Sequence, residues 1–371
     1  MNDFLYPKRY QSQITSLSPQ MTQPRSAFAA LCHLALGFCL VGCAERGTMM
    51  FSDASPLATT HTIWIANYRS EDQADSRSAP PRPDDMEYEA LDVSIPPTHK
   101  TGEIEWPSGE PDANTDFVVV GERRFSSGTS FANDVARSDT SRRDETFVFV
   151  HGYNTRHAEA VYQIAQFVHD FGVPTPPVLF SWPSAGVNAG YVYDRDSALL
   201  ARDKLEELLI SLSRGSRKII LVGHSMGSYL IMETLRQIDF KDSLNIAREI
   251  DALVLMAPDI DGELFRSQAD SIPDLPQPFI LMVAEQDQAL EISSLLTGRR
   301  PRLGAQTDRS VVGDLPISLI DVSDLSTGGE FDHKIATTSP AAIAIIRRLA
   351  ERVPPGETHV GEMVLLSDLT P

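Results

Sequence analysis

The eleven residues 218–228 read KIILVGHSMGS, and they constrain the fold more than any other stretch of the chain. Ile219 to Val222 form an unbroken apolar run, as expected of a strand buried on both faces. Gly223-His224-Ser225-Met226-Gly227 follows, and then a run with helical apolar spacing to Ile238. With Gly and Ser each at about 7% of residues, chance alone produces G-x-S-x-G about 0.1 times in a chain of this length, so the pattern alone decides little. Its setting decides more. A strand that turns sharply into a helix holds the central serine in a strained conformation at the apex, and the flanking glycines leave room for neighbouring main chain. Ser225 Oγ then projects above a sheet, and the N-terminus of the following helix favours developing negative charge there. The plain alternative is an ordinary glycine-lined turn.

The rest of the chain has the periodicity to supply that sheet. Residues 145–151 (ETFVFVH) show no polar alternation until their end, and 177–182, 250–256, 279–283 and 315–322 read as further strands. Val161, Ile164, Ala165 and Val168 make a helical stripe, as do Ala198, Ala201, Leu205, Leu208 and Leu212. Ser339 and Pro340 are the N-cap and first-turn proline of a last helix running to about residue 352. The alternation predicts an α/β fold, a mainly parallel sheet flanked by helices on both faces. Ahead of it lie short β-like runs at 61–68, 88–95 and 116–120. Residues 70–85 and the Ser-, Asp- and Arg-rich 126–144 read as loops. The tail from 354 to 371 offers one possible strand, 362–366.

A formal charge of −19, from 51 acids against 32 bases, repels phosphate backbones and argues against a nucleic-acid partner. The first 42 residues run against this trend with a net charge of +2. They hold AFAALCHLALGFCLV at 27–41, a run shorter than the ~20 residues of a membrane span. Arg25 before it and small residues after it give the layout of a secretory signal peptide. Leu40-Val41-Gly42-Cys43 resembles the bacterial lipobox, which implies cleavage before Cys43 and a lipid on its sulfur; an ordinary signal or a core helix are the alternatives. Translation from Met21 would give a signal of ordinary length, 22 residues before Cys43. The expected organisation is an extension and signal over 1–42, a tether over 43–59, one α/β domain over 60–353 and a tail over 354–371. Cys32, Cys39 and Cys43 are the three cysteines, so the main body has neither disulfide nor thiol nucleophile.

A serine hydroxyl is a weak nucleophile and needs a base. Where serine sits at such a turn, an acid and then a histidine follow it in chain order. Only His333 and His359 lie after Ser225. His333, in a glycine-bearing loop past the strand at 315–322, is the stronger candidate. For the acid, Asp287 after the strand at 279–283 is preferred, with Asp259 and Glu285 as alternatives. Asp259 also suits a turn or cap. The oxyanion would be held by the N–H groups of Met226 and of Tyr153, in the loop His151-Gly152-Tyr153-Asn154. His151 is expected to brace that loop, and His224 to point away from Ser225. Trp182, Tyr191, Tyr193 and Asp194 belong either to a lid or to core packing and a helix cap. No dinucleotide, phosphate-loop or metal motif occurs, so no cofactor is expected.

With HGYN, GHSMG, Asp287 and His333 in this order, the chain resembles the α/β-hydrolase superfamily. A narrower likeness rests on VSIPPTHKTGEIEWP (93–107), FVFVHGYN (147–154), VLFSWPSAG with YVYDRDSA (178–198), LVGHSMGS (221–228), MAPDID (256–261) and AEQDQAL (284–290). Together these resemble a bacterial family of esterase/lipase-like proteins of unassigned function, over roughly 60–350. The resemblance implies a serine hydrolase fold with Ser225, Asp287 and His333 at the triad positions and supplies no substrate; from the triad chemistry the expected reaction is hydrolysis of a small acyl ester through an acyl-enzyme. A lipid at Cys43 would tether it to a membrane of the cell envelope, on the periplasmic side. The competing expectation is an inactive binding or scaffolding lipoprotein on the same fold.

Overall fold

The computed structural model describes residues 47–70, 80–138, 144–214, 217–240, 246–325, 333, 338–340 and 364–365. The signal run, Cys43, His359 and nearly all of the expected last helix lie outside them.

Ten strands join one sheet among the described residues: β1 (Thr59–Asn67), β2 (Glu87–Ile95), β3 (Val118–Phe125), β4 (Glu145–Val150), β5 (Pro177–Ser181), β6 (Lys218–His224), β7 (Ile250–Met256), β8 (Phe279–Val283), β9 (Ser318–Asp321) and β10 (Val364–Leu365). Their spatial order is β10-β9-β8-β7-β6-β4-β5-β1-β2-β3. From β1 to β10 all neighbours are parallel; β2 pairs antiparallel with β1, and β3 with β2. Among the described residues six helices accompany them: α1 (Gly128–Ala136), α2 (His157–Phe171), α3 (Tyr191–Ser213), α4 (Met226–Phe240), α5 (Gly262–Asp270) and α6 (Gln288–Leu296).

The unbroken apolar run of β4 has a simple cause. Val148 and Val150 point into a core shared with α3, α4 and α5, while Phe147 and Phe149 point into a second core beneath α2. Successive side chains of a strand face opposite ways, so a strand covered on both sides must be apolar throughout. Phe149 and Phe180 are fully buried, one on each face. Truncating a core ring of that kind to alanine costs about 3–5 kcal/mol.

Three expectations need correction. The polar stretch 126–144 contains α1, whose Phe131 and Val135 are buried one helical turn apart and whose N-cap Ser127 exchanges hydrogen bonds with Ser130 in a capping box. The surrounding Ser, Asp and Arg residues hide that short apolar stripe. The strand expected at 116–120 runs on to Phe125. β3 ends the sheet, and Glu122, Arg123 and Arg124 are charges suited to an exposed edge. The tether expected to Thr59 is held down well before it. Met50 O and Ser52 N both bond to Val119, Phe51 bridges to Val119, and Met49 packs on the core beneath α2.

The sheet order reverses at β4. The chain passes from β4 outward to β5, then returns across it to β6 and continues the other way. A crevice opens above the carboxyl ends of strands at such a switch point. The ends of β4 and β6 carry His151 and Ser225.

Candidate active site

Ser225 follows the last residue of β6 and precedes the first of α4, with φ at +52°. A non-glycine residue in this region costs about 1–3 kcal/mol and persists only where its surroundings hold it. They do so through the backbone. Ser225 N donates to Met256 O at 2.9 Å, and Ser225 O accepts from Ser228 N and Asp259 N. Both glycines of the motif are forced by space. A Cβ on Gly227 would stand 2.3 Å from Val150 O, and one on Gly223 would stand 2.9 Å from the backbone of Ser228. Ser225 is 3% exposed.

Met226 opens α4, and the first N–H groups of a helix have no acceptor within it. The loop after β4 closes on the same point. A Cβ on Gly152 would lie 3.0 Å from the Cβ of Ser225 and 2.9 Å from His224 Nδ1. Tyr153, the next residue, donates its hydroxyl to Asn188 O, and Asn154 takes a positive φ of 53°. His151 braces this loop as expected. Its ring stacks on Trp182, its Nε2 accepts from Trp182 N, and its Nδ1 donates to Gly152 O at 2.9 Å. Burial above all, aided by the Arg69 charge, pushes the His151 pKa down to about 3, in keeping with a neutral ring that accepts at one nitrogen and donates at the other.

Asp194 lies in the first turn of α3, not in a lid loop, and is fully buried with Tyr191 beside it in the same turn. Asp194 accepts from Asn154 N at 3.0 Å, Ala185 N at 2.6 Å and Ser184 Oγ at 2.7 Å. Burial raises its pKa, and those three donors work against the rise. It thus ties the 151–155 loop to the loop after β5. The Gly- and Tyr-rich sequence around it gave no sign of this, because its partners are 9 to 40 residues away.

Asp287 and His333 meet. Asp287 is the N-cap of α6; its Oδ1 accepts from Leu290 N, and its Oδ2 lies 2.7 Å from His333 Nδ1. The Asp287 side chain is fully buried, and that of His333 keeps 16% of its surface exposed. His333 also rests on the turn itself. Its carbonyl accepts from His224 Nε2 at 3.0 Å, and the two rings are 4.7 Å apart. His224 therefore turns from Ser225 toward the backbone of His333, a contact that sequence spacing does not reveal.

The alternative acids lie elsewhere in the chemistry. Glu285 is exposed. Asp259 is neither a turn residue nor a cap; Asp261 caps α5 instead. Asp259 pairs with Arg302 Nε at 2.9 Å, both side chains nearly fully buried. Tyr191 OH donates to Asp259, Ser293 Oγ joins the same carboxylate, and Arg302 Nη2 donates to Tyr191 OH. This cluster bonds to the turn through Asp259 N, which donates to Ser225 O.

A family model for alpha/beta hydrolases of unknown function (DUF900) matches residues 125–352. No curated protein matches the chain. Among solved structures, a CIB-like hydrolase of Thermoplasma acidophilum is 15% identical over 58% of this chain and 89% of its own, with a TM-score of 0.34. An esterase of Pyrobaculum calidifontis is 15% identical over 56% and 76%, at 0.28, and esterase B of Lactobacillus rhamnosis is 13% identical over 88% and 98%, at 0.32. At such scores these likenesses say nothing of what the chain does. The family match spans more than half of the sequence and both sides of the Ser225 turn: the chain belongs to the DUF900 family of alpha/beta hydrolases.

Proposed function

We propose that this protein is a serine hydrolase of carboxylic esters, with Ser225 as nucleophile, His333 as base and Asp287 as the acid that orients it. The observation that carries the reading is the hydrogen bond from His333 Nδ1 to buried Asp287, together with a strained serine at the end of β6 whose chain neighbour His224 bonds to the His333 carbonyl. With Nδ1–H given to the carboxylate, His333 Nε2 carries the lone pair that a base needs.

Ser225 Oγ attacks the acyl carbonyl as its proton passes to His333 Nε2. The N–H groups of Met226 and Tyr153 take the oxyanion; losing one such donor costs about 10²–10³ in turnover. His333 returns the proton to the departing alkoxide, leaving an acyl-enzyme. Water then attacks the acyl carbon while His333 accepts its proton, and Ser225 leaves protonated. Asp287 orients His333 and stabilises the imidazolium in both steps.

The lipobox-like sequence before Cys43 supports a second element, a lipid anchor that holds the domain at a membrane of the bacterial cell envelope. Among the described residues no helix is long and apolar enough to cross a membrane. Hydrolysis of short and medium acyl nitrophenyl esters by wild type and Ser225→Ala tests the chemistry: the variant should lose the activity. Incorporation of labelled fatty acid, abolished by Cys43→Ser, tests the anchor.

A further inference from the structure

Three imidazoles gather at the opposite end of the sheet from Ser225. His61 lies near the start of β1, His99 lies in the segment after β2, and His169 lies in the last turn of α2 beside Asp170. Parallel strands and an antiparallel covering helix bring the start of β1 and the end of α2 to the same edge. Nothing in the proposed hydrolysis uses these groups.

Their geometry is that of a prepared donor set. One donor atom from each of His99, His169 and Asp170 lies within 4.8 Å of the other two. His99 Nε2 is 3.0 Å from Asp170 Oδ1. Ligands around a tetrahedral zinc, with bonds of about 2.0 Å, sit about 3.3 Å apart. The outer contacts match what metal ligands require. The other nitrogen of His99 meets Glu105 Oε2 at 2.9 Å, and Glu105 Oε1 is fixed by Lys100 N. Asp170 Oδ2 accepts from Gly102 N and Gln166 Nε2, which leaves Oδ1 turned to the histidines. His61 Nε2 stands 3.1 Å from His169 Nδ1 and fixes that ring. A carboxylate behind a histidine and a donor behind a carboxylate are the partners that orient metal ligands.

We propose that His99, His169 and Asp170 form a binding site for one divalent transition cation of the zinc type, with Glu105 and His61 as the outer partners. Two imidazoles and one carboxylate suit zinc better than calcium or magnesium, which prefer all-oxygen sets. The side chains of His99 and Asp170 are each more than nine-tenths buried, so the cation would be shielded from competing water. The cation takes the place of the proton that His99 Nε2 and Asp170 Oδ1 now share. It would staple the 96–106 segment to α2, with β1 joined only through the His61–His169 contact, a structural role independent of Ser225.

Full-length protein is treated with a chelator, dialysed, and titrated with Zn²⁺ by calorimetry and with Co²⁺ by visible absorption. The expected result is one equivalent bound, tetrahedral Co²⁺ bands without thiolate charge transfer, and a raised melting temperature. His169→Gln and Asp170→Asn should each abolish the bands. His61→Ala should weaken Zn²⁺ about 10–100-fold. Ser225→Ala should bind as wild type does, so the site stands or falls apart from the hydrolase reading. Absence of the bands in folded wild type would overturn the site. So would thiolate charge transfer pointing to the N-terminal cysteines, or stoichiometric binding retained in both His169→Gln and Asp170→Asn.

Discussion

The carboxylate of Asp287 serves two partners at once: Oδ1 caps α6 through Leu290 N, and Oδ2 holds His333 Nδ1 at 2.7 Å. Asparagine is as good a cap as aspartate, so Asp287→Asn keeps the helix start while upsetting the tautomer of His333. Esterase turnover should fall roughly 10³–10⁴-fold with the melting temperature little changed. Asp287→Ala should lose the cap as well, at about 1 kcal/mol of stability. Steady-state kinetics beside thermal denaturation separates the two roles.

Gly227 and Gly152 answer to different pressures. Gly227 has no room at all: alanine there meets Val150 O at 2.3 Å and His151 O at 2.5 Å, both backbone atoms. Gly227→Ala should destabilise the protein by about 1–3 kcal/mol or more, read as a lowered midpoint in urea. At Gly152 a Cβ meets side-chain atoms, His224 Nδ1 at 2.9 Å and Ser225 Cβ at 3.0 Å. Gly152→Ala should act first on turnover, by displacing the serine and the neighbouring amide, and less on stability.

The buried neutral ring of His151 gives stability a pH dependence of definite sign. Its pKa is about 3 in the folded chain against 6.5 for an exposed histidine. Above pH 6.5 the ring is neutral folded or unfolded, and its contribution is complete. As pH falls from 6.5 toward 3 the unfolded chain takes up the proton and the folded chain does not, so stability is lost at up to about 1.4 kcal/mol per pH unit. His151→Gln should be less stable at neutral pH and show a shallower loss toward acid. Urea unfolding across that window measures both.

Much of this architecture is legible in the sequence, for reasons that particular residues show. β4 and β6 are buried on two sides and read as plain apolar runs. The Ser225 turn is marked by glycines that no other residue can replace. Asp287 follows β8 and His333 follows β9; chain order narrows the histidine to two positions, and strand ends favour Asp287 over Asp259 and Glu285. What escapes is set by distant or short-range partners. Arg302 looks like one more surface arginine until Asp259, 43 residues away, is seen beside it. Asp194 sits in a Tyr-rich stretch that reads equally as lid or helix. α1 has only two buried apolar side chains among polar neighbours, and the contact of His224 with His333 joins residues whose sequence separation carries no pattern.

The Arg302–Asp259 pair is expected to stabilise only as a pair. Arg302→Met leaves a carboxylate buried among Tyr191 and Ser293 without its counter-charge, a loss of about 3–5 kcal/mol. Asp259→Asn added to it should restore part of that loss. A double-mutant cycle from chemical denaturation should give a coupling of about 0.5–3 kcal/mol.

The nucleophilic role of Ser225 is tested most directly by a fluorophosphonate probe, followed by peptide mapping of the labelled protein. The expected result is one adduct, on the peptide that carries Ser225, absent in Ser225→Ala. A folded wild-type protein that stays unlabelled, or an adduct on another residue that persists in Ser225→Ala, would contradict it.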